Sequence, residues 1–88
     1  MPSHRRNEVA KRIARIHGHV HGIMEMVNDE NRSYSEIVQQ ISAVKAALDS
    51  TIKVIVDDLV EDCVSRKGKR DADMDRNLLE IKNVVGRL

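Results

Sequence analysis

Between Ile37 and Leu59 the chain reads IVQQISAVKAALDSTIKVIVDDL, and the spacing of its apolar residues decides the fold class. Ile37, Ile41, Val44, Leu48, Ile52, Ile55 and Leu59 recur at gaps of four or three. That period puts them on one face of an α-helix, where a strand would need strict alternation. Val38, Val54 and Val56 add a second apolar face. A helix greasy on more than one side must bury against more than one neighbour. Just upstream, Ser33 followed by Glu36 forms a capping box, which satisfies free amide groups at a helix start. The helix therefore begins near residue 34 and, running to about residue 64, spans ~45 Å at a rise of ~1.5 Å per residue.

On the amino-terminal side, Val9, Ile13, Ile16, Val20, Ile23 and Val27 repeat at alternating gaps of four and three, a coiled-coil-like seam. Gly18 and Gly22 interrupt this helix at a cost of roughly 1 kcal/mol each relative to alanine, so a close approach to the backbone is expected there. Asn28-Asp29-Glu30-Asn31-Arg32 loses the period and reads as a turn. Past the long helix, Ser65-Arg66-Lys67-Gly68-Lys69-Arg70 is polar and basic with a glycine, a second break. Asp71 or Asp73 then caps a third helix with a stripe of Met74, Leu78, Ile81, Val85 and Leu88. No strand alternation and no internal repeat is present. The expectation is an all-α, three-helix protomer forming a single domain over residues 1–88.

Composition says how such a protomer is stabilised. The chain has 88 residues, one aromatic side chain (Tyr34) and one cysteine (Cys63). Domains this small usually need disulfides, a metal or a partner subunit, and one thiol forms no internal disulfide. Oligomerisation is the expected answer. Lys and Arg (15) nearly cancel Asp and Glu (14), so only clustering of charge can point to nucleic acid. No apolar run approaches the ~20 residues of a membrane span, and no hydrophobic segment follows Met1-Pro2-Ser3-His4-Arg5-Arg6. A cytoplasmic setting without a membrane partner is expected. A single thiol without an organised base, and no glycine-rich phosphate loop, argue against an enzyme.

Two segments resemble one family. Arg15-Ile16-His17-Gly18-His19-Val20-His21-Gly22-Ile23 is similar to the first-helix motif of the CsoR/RcnR metal-responsive repressors, and Gln39-Gln40-Ile41-Ser42-Ala43-Val44-Lys45-Ala46-Ala47-Leu48 is similar to their second-helix motif. The resemblance implies a repressor that pairs its first two helices with a second subunit as an antiparallel four-helix bundle. Two such dimers form a tetramer (a dimer of dimers) that presents a basic surface to double-stranded operator DNA, without a helix-turn-helix.

The resemblance also implies copper or another transition metal as the sensed ligand, held by a cysteine, a histidine and a second cysteine. Those positions fall here at Tyr34, Leu59 and Cys63, so one ligand of the set remains. One thiolate does not make a trigonal Cu(I) site, and the carboxylates of Glu61 and Asp62 are too hard to replace the others. No cofactor is therefore fixed by these residues, and an inducer response that is altered or lost is expected. His17 and His21, with Glu25 one turn further, form a separate stripe of the kind that chelates Zn(II), Ni(II) or Co(II). His19 stands at a family position shared by Gln and His, where it packs or hydrogen-bonds. His4 belongs to an amino-terminal arm.

For operator DNA, the expected contacts are Arg5, Arg6, Lys11, Arg12 and Arg15 along the first helix and Lys45 and Lys53 on the second. Arg12 corresponds under the resemblance to an operator-contacting arginine. A second such arginine corresponds to Ser50, with Lys53 nearby to take over its contact. The basic run Arg66-Lys67-Gly68-Lys69-Arg70 adds further phosphate contacts or is simply solvated. Two alternatives remain: a helical structural or adaptor protein, and a sensor of another metal using Cys63 and the histidines of the first helix.

Overall fold

The computed structural model describes the backbone of residues 3–65 and 72–88, and the side chains of residues 5–63 and 75–88. The basic run 66–70, Asp71 and Pro2 lie outside what is described, as do the side chains of His4, Asp73 and Met74. Three helices follow in order, α1 (Ser3–Val27), α2 (Tyr34–Ser65) and α3 (Ala72–Val85), with no strand among the described residues.

α2 begins where the capping box places it. The Glu36 amide donates to Ser33 Oγ at 3.1 Å, and the Ser33 amide donates back to Glu36 Oε2 at 3.4 Å. The preceding turn is held by Asp29, whose carboxylate accepts from the Asn31 amide at 3.0 Å and whose carbonyl accepts from the Arg32 amide at 3.1 Å. α1 starts six residues before the first apolar position, Val9, and so absorbs the segment expected to be an arm. Arg5 anchors that first turn to α2 through Glu61 at 3.0 Å and Asp58 at 3.7 Å. At the other end of the hairpin His19 Nε2 meets Gln40 Oε1 at 2.7 Å. Arg5 facing Asp58 while His19 faces Gln40 means that α1 and α2 run antiparallel.

Each predicted apolar stripe is only partly covered within the protomer. Val9, Ile16 and Ile23 of α1 face α2, while Ile13, Val20 and Val27 are exposed together with Met24. On α2, Ile37, Val44 and Val54 turn inward, and Val38, Ile41, Leu48, Ile52 and Ile55 remain exposed. A stripe with gaps of three and four is broad enough to flank a seam on both sides, and a two-helix hairpin covers only one of them. Ile23 and Val44 are accordingly the only buried apolar side chains among the described residues. The radius of gyration is 17.9 Å, against ~12 Å expected for a compact domain of this length.

α3 packs on the carboxy-terminal half of α2, with Asn77 Nδ2 donating to Asp62 Oδ2 at 2.9 Å. Its contact line differs from the predicted one. Asn77, Ile81 and Val84 are half-buried, whereas Leu78, Leu79, Val85 and Leu88 are exposed. Asn77 lies on the line that meets α2, so only part of the apolar stripe does. The close approach expected at Gly18 and Gly22 is also absent within the protomer: a Cβ at either position would meet nothing within 4 Å. Both glycines face outward.

Candidate functional site

Angular position around each helix sorts the charged residues. Successive residues are ~100° apart, so a residue two positions from another stands about 200° round, nearly opposite. Arg15 is two positions from exposed Ile13, and Ser50 is two from exposed Leu48. Both therefore lie on the flank of the hairpin opposite the exposed apolar stripe. There Arg12, Arg15 and His19 of α1 meet Ser50 and Thr51 of α2 around an open cleft of about 330 Å³. Ile16 and Ala47 form its apolar wall. Lys11 is exposed on the same side of α1.

The remaining expected DNA contacts separate from this cluster. Arg5 is engaged by Asp58, Glu61 and, at 3.9 Å, Glu8, so its charge is compensated at the carboxylate-rich end of the hairpin. Arg6 is exposed in the first turns of α1. Lys53 follows Ser50 by three residues, about 60° round towards the outer face of α2. Lys45 lies on the other flank, beside the exposed apolar stripe.

Within the cleft, Arg12 is the electrostatically unusual residue. Its Nε is buried and has no hydrogen-bond partner. Its Nη2 lies 3.6 Å from Glu8 Oε1, and that glutamate is itself 44% exposed. Arg15 has no hydrogen bond or ion pair among the described residues. Thr51 is 3% exposed, and its hydroxyl is already committed as a donor to the Ala47 carbonyl at 2.8 Å. Ser50 is exposed and keeps its hydroxyl available. The sequence had marked Ser50 only as a missing arginine; its place between two arginines depends on contacts between α1 and α2 that no local pattern encodes.

The positions that correspond under the resemblance to metal ligands do not fit a metal. Tyr34, 90% exposed at the first turn of α2, offers no thiolate in place of the first cysteine, which the resemblance draws from a second subunit, and Cys63 is half-buried near the other end of the helix. Leu59 offers only hydrocarbon. The carboxylates beside it are occupied, Asp58 by Arg5 and Asp62 by Asn77. His21 Nε2 pairs with Glu25 Oε1 at 3.4 Å on a fully solvated face, and His17 is exposed one turn earlier. Among the described residues no three His, Cys, Asp or Glu side chains converge as a metal-binding group. His19 hydrogen-bonds across the helix pair, as its position suggested.

Comparison with known proteins agrees with this architecture. Residues 5–87 match the family model described as metal-sensitive transcriptional repressor. The copper-sensing transcriptional repressor RicR of Mycobacterium tuberculosis is 32% identical over 84 residues, covering 94% of this chain and 86% of RicR. The solved structure of the nickel-responsive transcriptional regulator InrS superposes with a TM-score of 0.76 at 33% identity, over 92% of this chain and 89% of the other. With three helices in the same arrangement and a match running almost end to end, the chain belongs to the metal-sensitive transcriptional repressor family, a family of regulators and not of enzymes.

Proposed function

We propose that the protein is an oligomeric, DNA-binding repressor whose duplex-facing surface is the flank carrying Lys11, Arg12 and Arg15, with Lys53 at its margin, and whose inducer response has departed from metal sensing. The observation that carries this reading is the division of the α1–α2 hairpin into two opposite flanks. One exposes Ile13, Val20, Ile41, Leu48 and Ile52, and the other gathers Arg12, held only by a 3.6 Å pair with Glu8, and Arg15, around a cleft that no carboxylate lines. A second copy covers the apolar flank in an antiparallel four-helix bundle, and two such dimers form the tetramer. Assembly then repeats the basic flank by symmetry, which gives a near-neutral chain a patterned cationic surface. Neutralising duplex phosphates there releases counterions and supplies most of the affinity.

Loss of metal sensing is supported by the donor set. Cys63 alone supplies a soft ligand, and Leu59 and Tyr34 leave the other two places without one.

The test is duplex binding by fluorescence anisotropy across a salt series, using DNA that flanks the protein's own gene, where a G·C-rich pseudo-palindrome is expected. The wild type binds with steep salt dependence. Arg15→Gln weakens binding and lowers the salt slope by about 1 for each protomer that meets the duplex, as loss of one phosphate contact per protomer requires. Wild-type affinity in the double variant Arg12→Glu/Arg15→Glu contradicts the assignment and favours a structural adaptor.

A further inference from the structure

The cleft between the two arginines has the chemistry of a discrete ligand site, beyond a general attraction for the duplex. Its volume, about 330 Å³, falls at the small end of the ~300–1,000 Å³ typical of small-molecule sites. Two guanidinium groups line it and no carboxylate does. The buried Arg12 Nε donor has no acceptor, and the distance from Arg12 to Glu8, 3.6 Å, is longer than a good charge-assisted hydrogen bond. Ser50 adds a hydroxyl donor at the rim, since the Thr51 hydroxyl already serves Ala47. His19 forms part of the wall, fixed by its bond to Gln40.

We propose that the cleft binds one phosphate-class oxoanion per protomer. The forked guanidinium groups of Arg12 and Arg15 suit the paired oxygens of a phosphate, and Ser50 donates to a third. Ile16 and Ala47 offer an apolar wall to the organic remainder of a phosphomonoester. The cleft opens opposite the apolar flank, so a second copy on that flank leaves it accessible. The same chemistry describes a phosphate of the duplex backbone and a free phosphorylated metabolite. The site itself stands on the cleft and does not require the duplex reading.

Calorimetric titration of the full chain with inorganic phosphate, against sodium chloride of matched ionic strength, tests it. Saturable binding is expected at one phosphate per protomer. Ser50→Glu, which places a carboxylate in the cleft, and Arg15→Gln each weaken it about tenfold or more, while the charge-matched control Lys82→Gln leaves it unchanged. Both cleft residues are exposed, and circular dichroism verifies that the variants keep their helices. Repeating the titration with bound duplex separates the sources. Phosphate excluded by the duplex assigns the cleft to a backbone phosphate, and phosphate bound alongside the duplex assigns it to a free anion. Either result supports the site. No saturable heat beyond the chloride control overturns it, as does wild-type phosphate affinity in both cleft variants. Duplex binding without phosphate binding removes the cleft and leaves the repressor reading intact; phosphate binding without duplex binding does the reverse.

Discussion

Replacing Gly18 and Gly22 together by alanine should stabilise the protein and weaken its grip on DNA. Gly18 follows Lys11, and Gly22 follows Arg15, by seven residues. Seven residues are two turns less about 20°, so each glycine stands almost in line with a basic side chain. A Cβ at either position meets nothing within 4 Å, so no clash offsets the gain in helix propensity. That gain is about 1 kcal/mol per site, or about 2 kcal/mol per protomer. At ~4–8 °C per kcal/mol for a domain of this size, Tm should rise by roughly 10 °C. Melts followed by circular dichroism at fixed protomer concentration measure it, since assembly makes Tm concentration-dependent. In the anisotropy assay the added methyl groups hold the duplex off this flank, and affinity should fall roughly tenfold, the size of an ordinary overpacking penalty. A lowered Tm would show the glycine flank packed against another chain, and unchanged duplex affinity would show that DNA does not approach it. Either result refutes the assignment of this flank.

Three further outcomes are expected. Arg5→Met leaves Asp58, 6% exposed, without its cation; stability measured by urea denaturation should drop by about 1–3 kcal/mol, with duplex affinity per folded oligomer little changed. Ile52→Asp puts a charge in the exposed apolar stripe; sedimentation velocity should show smaller assemblies than the wild type, and an unchanged distribution would mean the stripe is not the interface. Tyr34→Cys combined with Leu59→His restores a cysteine–histidine–cysteine set around Cys63. That variant should gain a thiolate-to-copper absorption band on Cu(I) titration that the wild type lacks, and a strong band in the wild type would mean that metal sensing is retained.

The features readable in the sequence were the local ones. The capping box at Ser33 and Glu36, the turn at Asp29 and the extent of α2 all depend on residues within a few positions of one another. His4 was expected in an arm but lies within α1, whose first turn is anchored by Arg5 on Glu61, a contact between residues 56 positions apart. The same kind of contact hid the cleft. Arg12 and Arg15 stood out as a basic pair, but nothing near Ser50 in the chain indicates which side of α2 faces them. The apolar stripes fall on the helices, but a gap pattern of three and four does not say which half a hairpin buries and which half it leaves exposed. For α3, the contact line runs through Asn77, and a polar residue carries no weight in an apolar stripe.

The chain is elongated, with principal extents of 60 × 25 × 14 Å, and only Ile23, Val44, Thr51 and Asp58 are buried among the described residues. Little interior therefore separates one edge of the hairpin from the other. Ile16 and Thr51 line the basic cleft and also sit at the seam between the helices, so under the proposed assembly both edges share the same residues. Sequence changes at that seam are then expected to act on subunit packing and on the cleft together.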